Sequence, residues 1–164
     1  MRFAGLLVAV LALAGSATPA HAAAPFAFCG LSRTVNGFDP VRAAGVPCGT
    51  AREDVAAVER GDRGDWACSR AMHAAYELEC RRGAAVLQVL ERSPVPAVRR
   101  SDGTVRLANW RFRLDGRTLL AREDGRSTWT RIARAPFCIP AAPREVLVAL
   151  RLRQLTPHGG CFAP

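Results

Sequence analysis

Lysine is absent from this chain. All 23 basic side chains among its 164 residues are arginine, set against 14 carboxylates, for a formal charge of +9. With 14 glycines, 11 prolines and abundant alanine, this reads as the codon bias of a G+C-rich bacterial genome. The charge implies long-range attraction to polyanions without naming one. Histidine is nearly as scarce, since only His73 and His158 follow the first 22 residues, and a serine or cysteine nucleophile needs such a base beside it. There is no Gly-x-Ser-x-Gly elbow and no Cys-x-x-Cys pair of the kind that builds a zinc knuckle. Beyond residue 22 no apolar run approaches the roughly 20 residues a membrane-spanning helix needs. These absences argue against a serine hydrolase, a zinc module and an anchored membrane protein.

What is present at the start is a leader. Arg2 precedes an apolar run from Phe3 to Ala14, and Ala20-His21-Ala22 offers small residues at both positions a signal peptidase reads. Residues 1–22 are therefore expected to be a secretory signal peptide. Phe28 and Phe26 stand where a lipoprotein signal has a small residue and a leucine, so anchoring through Cys29 is not expected. Export to an oxidising compartment frees Cys29, Cys48, Cys68, Cys80, Cys138 and Cys161 to pair. The expected location is extracellular, with envelope association as an option.

About 140 residues remain after the leader, enough for one domain of ordinary size. Thr50-Ala51-Arg52-Glu53 has the form of a capping box and opens a helix expected over Thr50 to Arg60. Glu53 and Asp54 would lie near its positive end and Arg60 near its negative end. Gly61 supplies the stop. Ala51, Val55 and Val58 make a single apolar stripe, so one face packs. From Trp66 to Arg82, Ala71, Met72, Ala75 and Leu78 have helical spacing, while Trp66 to Cys68 and Tyr76 to Cys80 also read as two strands, the preferred alternative for the cysteines. One helix over the whole span would hold the sulfurs of Cys68 and Cys80 about 18 Å apart, too far for a bond. After Arg82-Gly83, the apolar run from Ala84 to Glu91 suits a central strand.

Ser93-Pro94-Val95-Pro96 breaks the pattern and divides a cysteine-rich half, 23–92, from a second half, 97–164. Asp102-Gly103, Asp115-Gly116 and Asp124-Gly125 then mark hairpins joining strands at about 95–100, 104–114, 117–123 and 126–133. A bulge at Ala108-Asn109 is expected where the second strand changes phase. Val146, Val148, Leu150 and Leu152 alternate with Arg151 and Arg153, which predicts a last strand; a helix opened by Pro143 is the alternative. The Pro break places four cysteines before it and two after. If each half closes its own bonds, Cys138 pairs with Cys161, and Cys68–Cys80 with Cys29–Cys48 is the preferred set, each worth about 3 kcal/mol by chain entropy. No metal and no cofactor is expected.

Candidate chemical groups have ordinary readings beside them. Ser69 and His73, with Asp65 further back, share a face only if that segment is helical. Glu77 with Glu79, or Glu123 with Asp124, offers the two carboxylates of a glycosidase, yet charged residues on a solvated strand face are commonplace. Arg63-Gly64-Asp65 is an adhesion tripeptide of little specificity. Trp66, Trp110 and Trp129 suit a sugar-binding face or a core. Arg81-Arg82 and Arg99-Arg100 are pairs without interleaved aromatics, so a nucleic-acid platform is not expected.

Val46-Pro47-Cys48-Gly49-Thr50-Ala51-Arg52, Trp66-Ala67-Cys68 and Glu79-Cys80-Arg81-Arg82-Gly83 together resemble a small secreted domain common in G+C-rich Gram-positive bacteria. The resemblance covers about 46–90. It implies export and a cysteine, helix and cysteine-hairpin order, and it transfers no catalytic or binding residue.

The resulting expectation is an α+β chain, β-rich, with one short helix beside an antiparallel sheet and meander, stapled by disulfides. The expected function is a non-enzymatic secreted binding or envelope-associated protein whose partner is an acidic envelope polymer or a secreted protein. An inhibitor of an extracellular protease comes second, presenting a loop pinned by Cys68 and Cys80 or the segment Phe137-Cys138-Ile139-Pro140. A secreted hydrolase comes third.

Overall fold

The computed structural model describes residues 24–35, 37–71, 75–137, the backbone at 138, 142–155 and 161–164. The leader read over 1–22, His73 and His158 lie outside these residues, as do Ile139 and Pro140. Among the described residues 48% are in strands and 14% in helices, and the sheets are antiparallel.

The first half contains β1 (Ala27–Thr34), β2 (Gly37–Ala44), α1 (Cys48–Glu59), β3 (Ala67–Arg70), β4 (Tyr76–Arg82) and β5 (Ala85–Leu90). The strands form one sheet in the order β1-β2-β5-β4-β3. The apolar β5 is central, as its sequence predicts. Residues 27–44, for which no strand is expected above, form β1 and β2, a hairpin closed by the pair Thr34 and Gly37.

Helix α1 begins two residues before the expected Thr50, and the capping box does not form. Pro47 is the N-cap, extended at φ −61° and ψ 143°, with no side-chain cap bond. Its carbonyl accepts from the Ala51 N–H at 2.8 Å. A disulfide holds Cys48 to Cys29 with their Cα atoms 4.8 Å apart, so the entrance is fixed covalently and Thr50 falls inside the first turn. Glu53 and Asp54 consequently lie beyond the first turn, and the last turn has no basic residue; the expected dipole pairing is absent. The stop is as expected. Gly61 has φ +91°, its N–H donates to Val58 at 2.9 Å, and the Asp62 N–H reaches back to Ala57 at 3.0 Å. This is the Schellman arrangement.

The second half holds β6 (Val98–Arg99), β7 (Val105–Leu107), β8 (Trp110–Asp115), β9 (Thr118–Glu123) and β10 (Thr130–Arg134), ordered β10-β9-β8-β7-β6. The expected 104–114 strand is two strands. Leu107 pairs with Trp110, so Ala108-Asn109 is a two-residue turn rather than a bulge, with Ala108 at φ +51°. A turn reverses the chain and thereby changes the phase. At the next hairpin Asp115 pairs with Thr118, which centres the turn on Gly116-Arg117, one residue later than the Asp-Gly signal suggests. In the β6–β7 loop Asp102 accepts from both the N–H and the hydroxyl of Thr104, at 3.0 and 2.7 Å.

Last come β11 (Phe137–Cys138), α2 (Arg144–Ala149), β12 (Arg153–Gln154) and β13 (Cys161–Ala163), with the strands ordered β11-β13-β12. The strand expected over 146–152 is a helix as far as Ala149. Val146, Leu147 and Leu150 are buried while Val148 is 57% exposed. That is a helical face, not alternation, and Pro143 as N-cap starts it with its extended ψ of 134°. A second disulfide joins Cys68 and Cys80, which also pair in register across β3 and β4. Cys161 is disulfide-bonded, and register places Cys138 opposite it.

Two apolar clusters result. In one, Ala51, Val55 and Val58 of α1 cover Val41, Leu78, Leu87 and Val89 of the first sheet, with Trp66 at the side. In the other, Phe112, Leu119 and Val105 of the second sheet pack with Phe137, Phe162 and α2. Leu31 and Phe38 of the first hairpin belong to this second cluster, where the Phe38 ring meets Trp110 and Phe112 edge-on at 4.9 and 5.1 Å.

Candidate anion-binding face

Strand alternation decides what the second sheet shows to solvent. Val105 and Leu107 on β7, Trp110 and Phe112 on β8, and Leu119 and Ala121 on β9 are buried. The residues between them point away from the core, and many are arginine. Arg106 pairs with Arg111, and Arg111 pairs with Arg122, so three guanidiniums form a row across three strands. Neighbouring strands are spaced about 4.8 Å apart. One step along, Arg113 stands opposite Leu120 and Leu120 opposite Arg131.

Trp129 leads into β10 on this same face. The guanidinium of Arg113 stacks on its ring at 4.6 Å and that of Arg122 at 4.8 Å. Such contacts orient both forks and hold the ring at the surface. Against these cations stands Asp124, whose two oxygens accept from Arg106 at 2.7 Å and from Arg111 at 3.1 Å. Asp102 at the adjoining loop is held below the usual carboxylate range by the Thr104 hydroxyl and backbone N–H, with Arg111 and Arg100 adding to the effect. Like charges directly opposite each other destabilise a sheet, and one bridging carboxylate offsets only part of that. Guanidinium forks match phosphate and carboxylate oxygens in pairs, which is the chemistry such a row can offer.

Along the chain the arginines fall in pairs, Arg81-Arg82 and Arg99-Arg100, rather than in a tract. The cluster forms across strands. Alternation of arginine with core residues in Arg106-Leu107, Trp110-Arg111-Phe112-Arg113 and Ala121-Arg122 was its available signal, legible once the hairpins are put in register.

The other candidates separate. A register shift between Tyr76 and Leu78 interrupts the alternation that would put Glu77 and Glu79 on one face of β4. Glu77 is exposed, whereas Glu79 accepts from the Gln88 side chain and pairs with Arg81 at 2.7 Å. The Gln88 hydrogen bond, with help from Arg81, holds the Glu79 carboxyl below its ordinary value. A general acid requires the opposite shift. Glu123 receives the Asn109 amide at 3.2 Å and Arg52 at 3.6 Å, so both it and Asp124 act in internal pairing. Ser69 lies on a strand, opposite Glu79. Asp65 pairs with Arg82 at 3.2 Å. Trp66 and Trp110 are core residues, leaving Trp129 as the tryptophan of the face.

Among the described residues no helix is long and apolar enough to cross a membrane. No protein-family model, curated protein or solved structure matches this chain.

Proposed function

We propose that this chain is a secreted, non-enzymatic binding protein whose ligand is an anionic polymer of the cell envelope, held on the arginine face of the second sheet. One observation carries the reading: the Arg106, Arg111 and Arg122 row with Trp129 stacked on Arg113 and Arg122. A repeating anion meets a repeating cation, and releases counterions as it binds. The disulfides Cys29–Cys48 and Cys68–Cys80 suit an oxidising compartment, which agrees with the leader read at residues 1–22.

The test is titration of the mature, oxidised protein with long-chain inorganic polyphosphate at several salt concentrations. Affinity is expected to fall steeply with salt. The double substitution Arg113→Gln with Arg122→Gln is expected to weaken binding and lower the log–log salt slope by about 1–2, at slightly under one unit per neutralised phosphate. Binding that is independent of salt, or untouched by the double substitution, would overturn the assignment.

A further inference from the structure

The far side of the molecule has a different character. Strand β2 is in register with β5 only from Val41 to Ala44, so Phe38, Asp39 and Pro40 stand at an edge that β5 has left. Between this edge, the end of β5 and helix α2 lies a cleft of about 970 Å³, at the upper end of the ~300–1,000 Å³ typical of small-ligand sites. Its walls are substantially apolar. Phe38, Leu90 and Val148 contribute, and Val148 is left 57% exposed there although it belongs to a packed helix. In this strongly basic chain the cleft is also where acid dominates. Five carboxylates line it, Asp39, Glu59, Glu77, Glu91 and Glu145, against the guanidiniums of Arg70, Arg92 and Arg144.

We propose that this cleft is a second binding site, for an amphipathic cation: a molecule with an apolar body, set against Phe38, Leu90 and Val148, and a protonated amine paired with Asp39. The Asp39 carboxylate is oriented by the Thr34 hydroxyl, which donates to it at 2.6 Å. It is the acid on the β2 edge itself, while Glu59 and Glu145 approach from the two helices. Burial raises the Asp39 pKa, with the Thr34 hydrogen bond opposing, so a cation arriving beside it offsets the desolvation of the charged form. This site is separate from the arginine face, which repels the same ligand.

Dansylcadaverine, a naphthalene body on an aminoalkyl chain, is a suitable probe, with dansylamide as its uncharged counterpart. Titrated into the oxidised protein, dansylcadaverine is expected to give a saturable blue shift and to bind about tenfold or more tightly than dansylamide, as for a partly desolvated charge pair. Asp39→Asn is expected to abolish that difference while leaving dansylamide binding in place. Val148→Asn, at an exposed position that folding tolerates, is expected to weaken both probes. Equal binding of the two probes to the unsubstituted protein, or retention of the preference in Asp39→Asn, would overturn the proposal. So would unaltered binding of both probes to Val148→Asn.

Discussion

The side chain of Asn109 holds the backbone of Leu31 from both sides: its Oδ1 accepts the Leu31 N–H at 2.7 Å, and its Nδ2 donates to the Leu31 carbonyl at 3.3 Å. The neighbouring Trp110 Nε1 donates to that same carbonyl at 3.1 Å. A residue in the turn of the second half thus satisfies a strand of the first, 78 positions away. Removing the amide leaves a buried donor without a partner, which costs about 1–3 kcal/mol. Asn109→Ala is expected to lower the urea unfolding free energy by about 2 kcal/mol.

Gly30 makes this clasp possible. It has φ +89°, and a Cβ built on it overlaps the Asn109 carboxamide oxygen. Gly30→Ala should therefore cost about 3 kcal/mol, from backbone strain and from the displaced amide together. In an Asn109→Ala background the overlap is gone, and the same substitution should cost at least about 1 kcal/mol less. A double-mutant cycle measures the coupling. Strict additivity would show that the cost is backbone strain alone.

Trp66 and Trp110 are both buried, yet they differ in one hydrogen bond. Trp110 donates to Leu31, while Trp66 Nε1 is buried and finds no acceptor among the described residues. Replacing each with phenylalanine removes similar area but unequal polar terms. Trp110→Phe is expected to cost at least about 1 kcal/mol more than Trp66→Phe, since the former removes a hydrogen bond and the latter removes a buried donor that has no acceptor among the described residues. Paired urea titrations read the difference directly.

Two carboxyls give the pH dependence opposite slopes. Glu79 has its pKa lowered by the Gln88 hydrogen bond first and by Arg81 after it. Its contribution is present above the unfolded value of about 4.3 and is lost as pH falls through the lower folded value. Asp39 is raised by burial, so its contribution is present below the unfolded value of about 3.9 and is lost as pH rises through the folded one. Glu79→Gln should flatten the acid limb of a melting-temperature profile. Asp39→Asn should gain stability at neutral pH relative to acid pH. Parallel shifts at every pH would contradict both assignments.

How much of this was legible in the chain depends on the range of the interaction. Local chemistry carried the apolar stripe Ala51, Val55 and Val58, the stop at Gly61 and the pairing of Cys68 with Cys80, because each is decided within a few residues. The start of α1 was misplaced because Thr50 carries the local signal, whereas a disulfide to Cys29 sets the actual entrance. At 146–152 the apolar spacing fitted two periods, and packing of Val146 and Leu147 against the second core selected the helix. The hairpin of β1 and β2 had a signal in Asn36-Gly37, of the same kind as the Asp-Gly pairs. The arginine face needs register across three strands, which no reading along the chain supplies.

Asp124 puts stability and binding in opposition. It pairs with Arg106 at 2.7 Å and with Arg111 at 3.1 Å, relieving repulsion within the row while reducing the positive field an anionic polymer would meet. Its side chain is 28% exposed, so the pairing is screened and moderate. Asp124→Asn keeps the shape and removes the charge. Stability is expected to fall by about 1 kcal/mol, and affinity for polyphosphate is expected to rise, with a steeper salt dependence because one more cation is available to the polymer. Arg122→Gln is expected to move affinity the other way, since it removes a cation that makes no pairing with Asp124. Urea unfolding and polymer titration on the same two variants separate the effects. If Asp124→Asn loses affinity along with stability, the carboxylate serves to order the guanidiniums, and the row binds by geometry more than by field.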